Sequence, residues 1–347
     1  MKKILIALCA VATLASCTKN EVLSYDQEAI GFDNAFVDNS TRSVDDKSFS
    51  TTNMFSDFAV YGFVKGSSTD AASANVFNGI EVSKSITNTE LTSIWRYAAT
   101  QYWIAGAIYH FYAVAPFSGD WAIKTGTTPT DAGATITFTN NDGTQDLLYA
   151  GIVEQTGLAD NNQPIAFTFN HILSKVKFSF VNGYNATSAT IRVKDIKITN
   201  AYNTAEADLA SGAAWRNHAG AVEIDFGNAT DDQSTDAKEA VTDVSYAYNN
   251  TYESYYERFV IPAAEQKWNI SFIVDLLVSG QRIQSYNHTA ELTTAFDPGK
   301  AYDITATIDA TNIDPTTSQE PIEFTADMTD WDTDHNDDGN KDDVTTI

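Results

Sequence analysis

The sequence is short of cysteine. Among its 347 residues only Cys9 and Cys17 carry a thiol. Both lie in a leader-like segment, so no disulfide is available to the body of the chain, and its stability must come from buried apolar surface. Basic residues are scarce too, 21 Lys and Arg against 46 Asp and Glu, for a formal net charge of −25. A surface that acidic repels phosphates, which excludes general nucleic-acid binding. The five histidines, His110, His171, His218, His288 and His335, are scattered without metal-ligand spacing. Phosphate-binding and hydrolase signatures are missing as well: no G-x-x-x-x-G-K-[ST], no G-x-G-x-x-G after a strand, no H-E-x-x-H and no G-x-S-x-G. No catalytic residue is assigned, and an enzyme is not expected.

Apolar residues make up 43% of the chain and aromatics 12%, enough for a sizeable packed core. The first sixteen residues are set apart from it: Lys2 and Lys3 form a basic start, and Ile4 to Val11 an apolar run too short to span a bilayer. Leu14-Ala15-Ser16-Cys17 resembles a bacterial lipobox, which implies cleavage after residue 16 and acylation of Cys17. Several acyl chains there would hold the protein firmly at a membrane. Residues 17–42 are polar apart from Ala29-Ile30-Gly31-Phe32, where Ile30 and Phe32 share one face of a short strand. The small polar run after it ends in Arg42-Ser43, a sequence open to proteolysis.

From Phe49 to Met328 the pattern is strand after strand. Trp268-Asn269-Ile270-Ser271-Phe272-Ile273-Val274 continues to Val278 with period-two alternation, and Val222-Glu223-Ile224-Asp225-Phe226 repeats it. Gly, Asn, Asp and Ser fill the gaps, and no amphipathic helix longer than about three turns is evident. The reading is all-β, with antiparallel sandwiches. A boundary is placed near residues 160–182. There Ile165, Phe167 and Phe169 alternate in one phase and Val176, Phe178 and Phe180 in the other, which predicts a bulge or a passage between sheets.

Three segments are candidates for function. Trp95, Tyr97, Tyr102, Trp103, Tyr109, Phe111 and Tyr112 form an aromatic concentration that reads first as core and second as a sugar-stacking platform. Pro321 to Trp331 alternates Ile322, Phe324, Ala326 and Met328 with polar residues, the pattern of a last docked strand or of one donated to a neighbour. In the acidic tail, residues 332–347, Asp334, Asn336, Asp338, Asn340 and Asp342 with Gly339 match the opening of a calcium loop. Thr345 stands where the bidentate Glu belongs, so a solvated tail is the preferred reading and Ca2+ the lesser one; no other cofactor is expected.

The lipobox, Ile30-Gly31-Phe32, Thr41-Arg42 and five body segments together resemble the fimbrillin family of Bacteroidales type V pili, particularly its Mfa-like branch. Those segments are Tyr109-His110-Phe111-Tyr112, Gln145-Asp146-Leu147-Leu148-Tyr149, Phe169-Asn170-His171-Ile172-Leu173, Phe259-Val260-Ile261-Pro262 and Phe296-Asp297-Pro298-Gly299-Lys300. The resemblance implies two tandem transthyretin-like antiparallel β-sandwich domains, residues 43–168 and 169–331, behind a lipidated propeptide, residues 17–42, with a removable strand. It implies export to the outer membrane, cleavage between Arg42 and Ser43, and other fimbrial subunits as partners, joined by strand exchange; host proteins or glycans are further expected partners. The sixteen residues after Trp331 favour an accessory, tip or anchor subunit over a stalk. The alternative is a monomeric surface lipoprotein that binds glycans through exposed aromatics.

Overall fold

A computed structural model describes residues 28–37, 57–65, 74–85, 94–124, 135–184, 189–208, 214–230, 251–254, 256–317 and 320–330. Every regular element among the described residues is a β-strand. In chain order the first nine are β1 (Phe32–Val37), β2 (Asp57–Lys65), β3 (Ala74–Ser85), β4 (Ile94–Tyr97), β5 (Ile108–Ala115), β6 (Trp121–Lys124), β7 (Thr135–Thr139), β8 (Leu148–Thr156) and β9 (Ile165–His171). Next come β10 (Ser174–Asn182), β11 (Ala189–Ala201), β12 (Thr204–Asp208), β13 (Ala214–Ala219), β14 (Val222–Gly227) and β15 (Ala229–Thr230). The last six are β16 (Thr251–Ser254), β17 (Arg258–Val260), β18 (Trp268–Val278), β19 (Gln281–Leu292), β20 (Lys300–Ile308) and β21 (Phe324–Asp330).

Four sheets result. A seven-stranded sheet runs β1-β9-β8-β5-β2-β3-β4 and is antiparallel except where β1 lies parallel to β9. A four-stranded sheet, β13-β12-β7-β6, covers one of its faces. The other pair is a six-stranded sheet, β15-β16-β10-β20-β21 with β17 also on β10, packed on β14-β11-β18-β19. The alternation seen in the sequence decides which side chains go where. On β2, Phe58 and Val60 enter one core while Ala59, Tyr61 and Phe63 enter another, so that strand is buried on both faces. On β18, Trp268, Ile270, Phe272 and Val274 face the core between the second pair of sheets. Ser279 and Gly280, both at positive φ (51° and 75°), turn β18 into β19, as a two-residue hairpin with right-handed strand twist requires.

The phase change after Phe169 is a passage between sheets. Ile165, Phe167 and Phe169 belong to the core of the seven-stranded sheet, Ile172 and Leu173 to the layer beneath β12, and Val176, Phe178 and Phe180 to the last core. β9 stays in the first sheet as far as His171, and β10 opens the six-stranded sheet at Ser174. Residues from the second half also return to the first: β12 pairs antiparallel with β7, and Trp215 on β13 donates from Nε1 to the Ile172 carbonyl at 2.7 Å.

Candidate functional site

Residues 28–32 open the first described stretch of chain, 28–37, and close the seven-stranded sheet on itself. On one side it meets β9: the Ile165 amide donates to the Gly31 carbonyl at 2.8 Å, and Phe32 stands beside Ile165 in parallel register. On the other side it meets the stretch just after β4. There the Ile30 amide donates to the Gln101 carbonyl (2.8 Å) and the Trp103 amide to the Glu28 carbonyl (3.0 Å). The segment therefore fills a seam between two strand edges that would otherwise carry unpaired backbone groups.

Side chains anchor it. Ile30 is 1% exposed and Phe32 6%. The Phe32 ring lies among Phe58, Phe77, Tyr97, Phe111 and Phe167, with centroids 5.5 to 6.4 Å away and mostly edge-on. Such pairs add about 0.5–1.5 kcal/mol each beyond the area they bury. The Tyr97 hydroxyl donates to the Ile30 carbonyl at 2.7 Å. Burial pushes the Tyr97 phenol above its ordinary value despite the opposing Gln101 backbone contact, so the hydroxyl keeps its proton. At the entry, Glu28 Oε2 accepts from the Asn162 amide (2.7 Å) and from Asn162 Nδ2 (3.0 Å). Asn162 is itself buried and completes its shell through Leu158, from whose amide it accepts and to whose carbonyl it donates.

The candidate donor segment is docked on its own chain. β21 runs antiparallel to β20, with Phe324 opposite Ala306 and Asp330 opposite Lys300, at the edge of the six-stranded sheet. Ile322 is buried, Phe324 and Ala326 are half-buried, and Met328 is 54% exposed, so the strand leaves the core as it proceeds. The Phe324 ring touches Phe178, Phe180 and Phe272 at 5.8 to 6.0 Å.

The aromatic concentration is core. Trp95, Trp103, Tyr109, Phe111 and Tyr112 are buried, Tyr97 is half-buried against Phe32, and Tyr102 alone of the seven is exposed. Each described histidine has a partner: His110 with Glu154, His171 with Asp146, His218 with the Pro262 carbonyl and His288 with the Ile313 carbonyl. Among the described residues no three His, Cys, Asp or Glu gather as a metal site. Cys17, Arg42, Ser43 and the calcium-loop candidates Asp334, Asn336, Asp338, Asn340 and Asp342 lie outside the described residues. Sequence reasoning missed Glu28, Gln101 and Asn162, and it singled out Tyr97, Tyr102 and Trp103 only as part of the aromatic concentration, not as neighbours of Ile30 and Phe32, since nothing local marks contacts that span 67 to 134 positions.

The described residues are all-β, and fold and site together define a class of β-sheet protein with one strand set into an otherwise open seam. The profile of the fimbrillin-like family matches residues 41–331, and the chain belongs to that family, a structural rather than a catalytic one. No curated protein sequence matches it. A crystal structure of a fimbrial protein from Bacteroides vulgatus aligns with TM-score 0.62 at 16% identity, over 87% of this chain and 99% of that one, and shares its fold. The fimbrial anchor protein Mfa2 from Porphyromonas gingivalis aligns with TM-score 0.40 at 11% identity, over 88% of this chain and 98% of that one.

Proposed function

We propose that the protein is a structural or adhesive subunit of a cell-surface fimbria, of accessory, tip or anchor type, exported as an outer-membrane lipoprotein acylated at Cys17. Cleavage between Arg42 and Ser43 frees the segment holding Ile30 and Phe32, and a strand from a neighbouring subunit takes its place. The observation that carries this reading is the seam: a short leading segment supplies two buried anchors and backbone bonds to two edges. Its loss would expose an apolar trough flanked by unpaired amides and carbonyls, which an alternating strand refills. Because donor and acceptor surfaces differ, such contacts propagate head to tail.

The donor is the segment carrying Ile322, Phe324, Ala326 and Met328. Its docking against Phe178, Phe180 and Phe272 supports a subunit that receives a strand readily and releases its own slowly. In this reading the first sandwich unit takes in β9 as far as His171 and is covered by the β12–β13 hairpin, and the second unit opens with β10 at Ser174, so that the hairpin ties the second half of the chain to the first unit. The N-terminal residue of protein recovered from the cell surface tests the proposal. Ser43 is expected; an acylated Cys17 on every recovered chain would overturn the processing step.

A further inference from the structure

The seam and the last strand share a pattern. Glu28-Ala29-Ile30-Gly31-Phe32, which fills the seam, and Glu320-Pro321-Ile322-Glu323-Phe324, which leads into β21, both read Glu-x-Ile-x-Phe. We propose that the vacated seam selects this pattern. Its occupant is residues 320–324 of a second copy of the chain, with Glu320, Ile322 and Phe324 where Glu28, Ile30 and Phe32 now lie. This rests on the strand-exchange reading above and adds its register, its polarity and a specificity residue, Glu320.

Each position can be checked against the structure. Ile322 and Phe324 supply the same side chains that Ile30 and Phe32 bury. Glu320 would offer its carboxylate to the Asn162 amide and Nδ2, the two donors that Glu28 now satisfies. Those donors sit on a residue 7% exposed, so an occupant lacking the carboxylate leaves them unpaired at a cost. Pro321 has no amide proton, but the backbone bonds to 101–103 come from the Glu28 carbonyl and the Ile30 amide, and position 29 contributes neither. Glu323 brings a side chain where Gly31 has none. A Cβ there meets only Pro164 Cβ at 3.7 Å and Cγ at 3.9 Å, ordinary contact, and the carbonyl that receives the Ile165 amide is unaffected.

The polarity has a consequence. A strand parallel to β9 enters at the Glu28 end, so the donor's own body arrives there. That end carries exposed Tyr102, Ile104 and Leu158 on two loops joined by Gly106–Gly157 and Gly157–Ala107 backbone bonds of 2.8 Å. An apolar rim at the entrance gives the incoming body a surface to bury.

The test starts from the full chain cut at Arg42, after mass spectrometry has shown the front fragment to have left the body, and uses two labelled peptides, one of residues 26–37 and one of residues 318–331, with binding read by fluorescence anisotropy. Both are expected to bind, and Glu320→Ala in the second should weaken it by about tenfold, the loss of a hydrogen-bonded charge. Ile322→Asp with Phe324→Asp should abolish binding. Binding of the 26–37 peptide alone overturns the proposal while the seam remains a strand acceptor. If the 318–331 peptide binds and Glu320→Ala has no effect, the register is wrong although exchange stands. If neither peptide binds, strand exchange fails and the proposal with it.

Discussion

Replacing Phe32 by Ala removes the largest plug of the seam while leaving its backbone ladder intact. The ring is buried and touches five aromatic neighbours, two of which, Phe58 and Phe111, come from different strands of the same sheet. A buried Phe→Ala change costs about 3–5 kcal/mol, transfer and residual cavity together. At about 1.4 kcal/mol per factor of ten, that is roughly two to three and a half orders of magnitude in the retention of the segment. The assay is direct: the chain is cut at Arg42, and the separation of the front fragment from the body is timed by mass spectrometry of size-exclusion fractions. Faster release from Phe32→Ala than from the wild type is expected. Equal rates would mean that the buried ring does not hold the segment, and the reasoning from burial to retention would be wrong.

Three further outcomes follow from the same packing. Phe324→Asp sets a carboxylate against Phe178, Phe180 and Phe272 and should lower the urea midpoint sharply, whereas Met328→Asp, on an exposed side chain, should shift stability by no more than about 0.5 kcal/mol; the reverse order would show that β21 is not packed as described. Burial holds the His288 imidazole below its ordinary value of 6.5, against the opposing Ile313 carbonyl and Asp314 charge, so the unfolded chain takes up the proton first. Its contribution is present above pH 6.5 and is lost as the pH falls from there through the folded value; urea unfolding of wild type and His288→Gln should diverge least at acid pH, and a constant difference from pH 5 to 8 would contradict this. Trp103→Ala empties a core position and should cost about 3–5 kcal/mol, read as a lowered Tm with no change in glycan-array binding; a lost glycan signal in a fully stable variant would revive the sugar-platform reading.

Much of the architecture was legible because alternation is local. The opposed phases of Ile165-Phe167-Phe169 and Val176-Phe178-Phe180 announced either a bulge or a passage between sheets, and the structure, which places those runs in two cores, shows the passage. Ile30 and Phe32 stood out as an apolar pair in a polar stretch, and both are buried. What pairs with what was not legible. β12, Thr204-Ala205-Glu206-Ala207-Asp208, carries only alanines on its buried face, a pattern too weak to signal that it covers a sheet built from the chain's first half. The aromatic concentration was ambiguous because an indole stacks on a sugar or on a phenylalanine equally well, and only its neighbours decide. Trp103 lies 4.8 Å from Tyr109 and 6.0 Å from Phe111, inside the same core as Phe32. The seam itself depends on Glu28 meeting Asn162 and Ile30 meeting Tyr97, contacts that no window of sequence contains.

Native mass spectrometry of the full chain after cleavage at Arg42 tests the central claim most directly, since it weighs every species with and without the front fragment. Expected are assemblies of two or more bodies in which the front fragment is absent from each body that has received a strand. A single body that keeps its fragment at every protein concentration would contradict the claim that residues 28–32 hold a place meant for another chain.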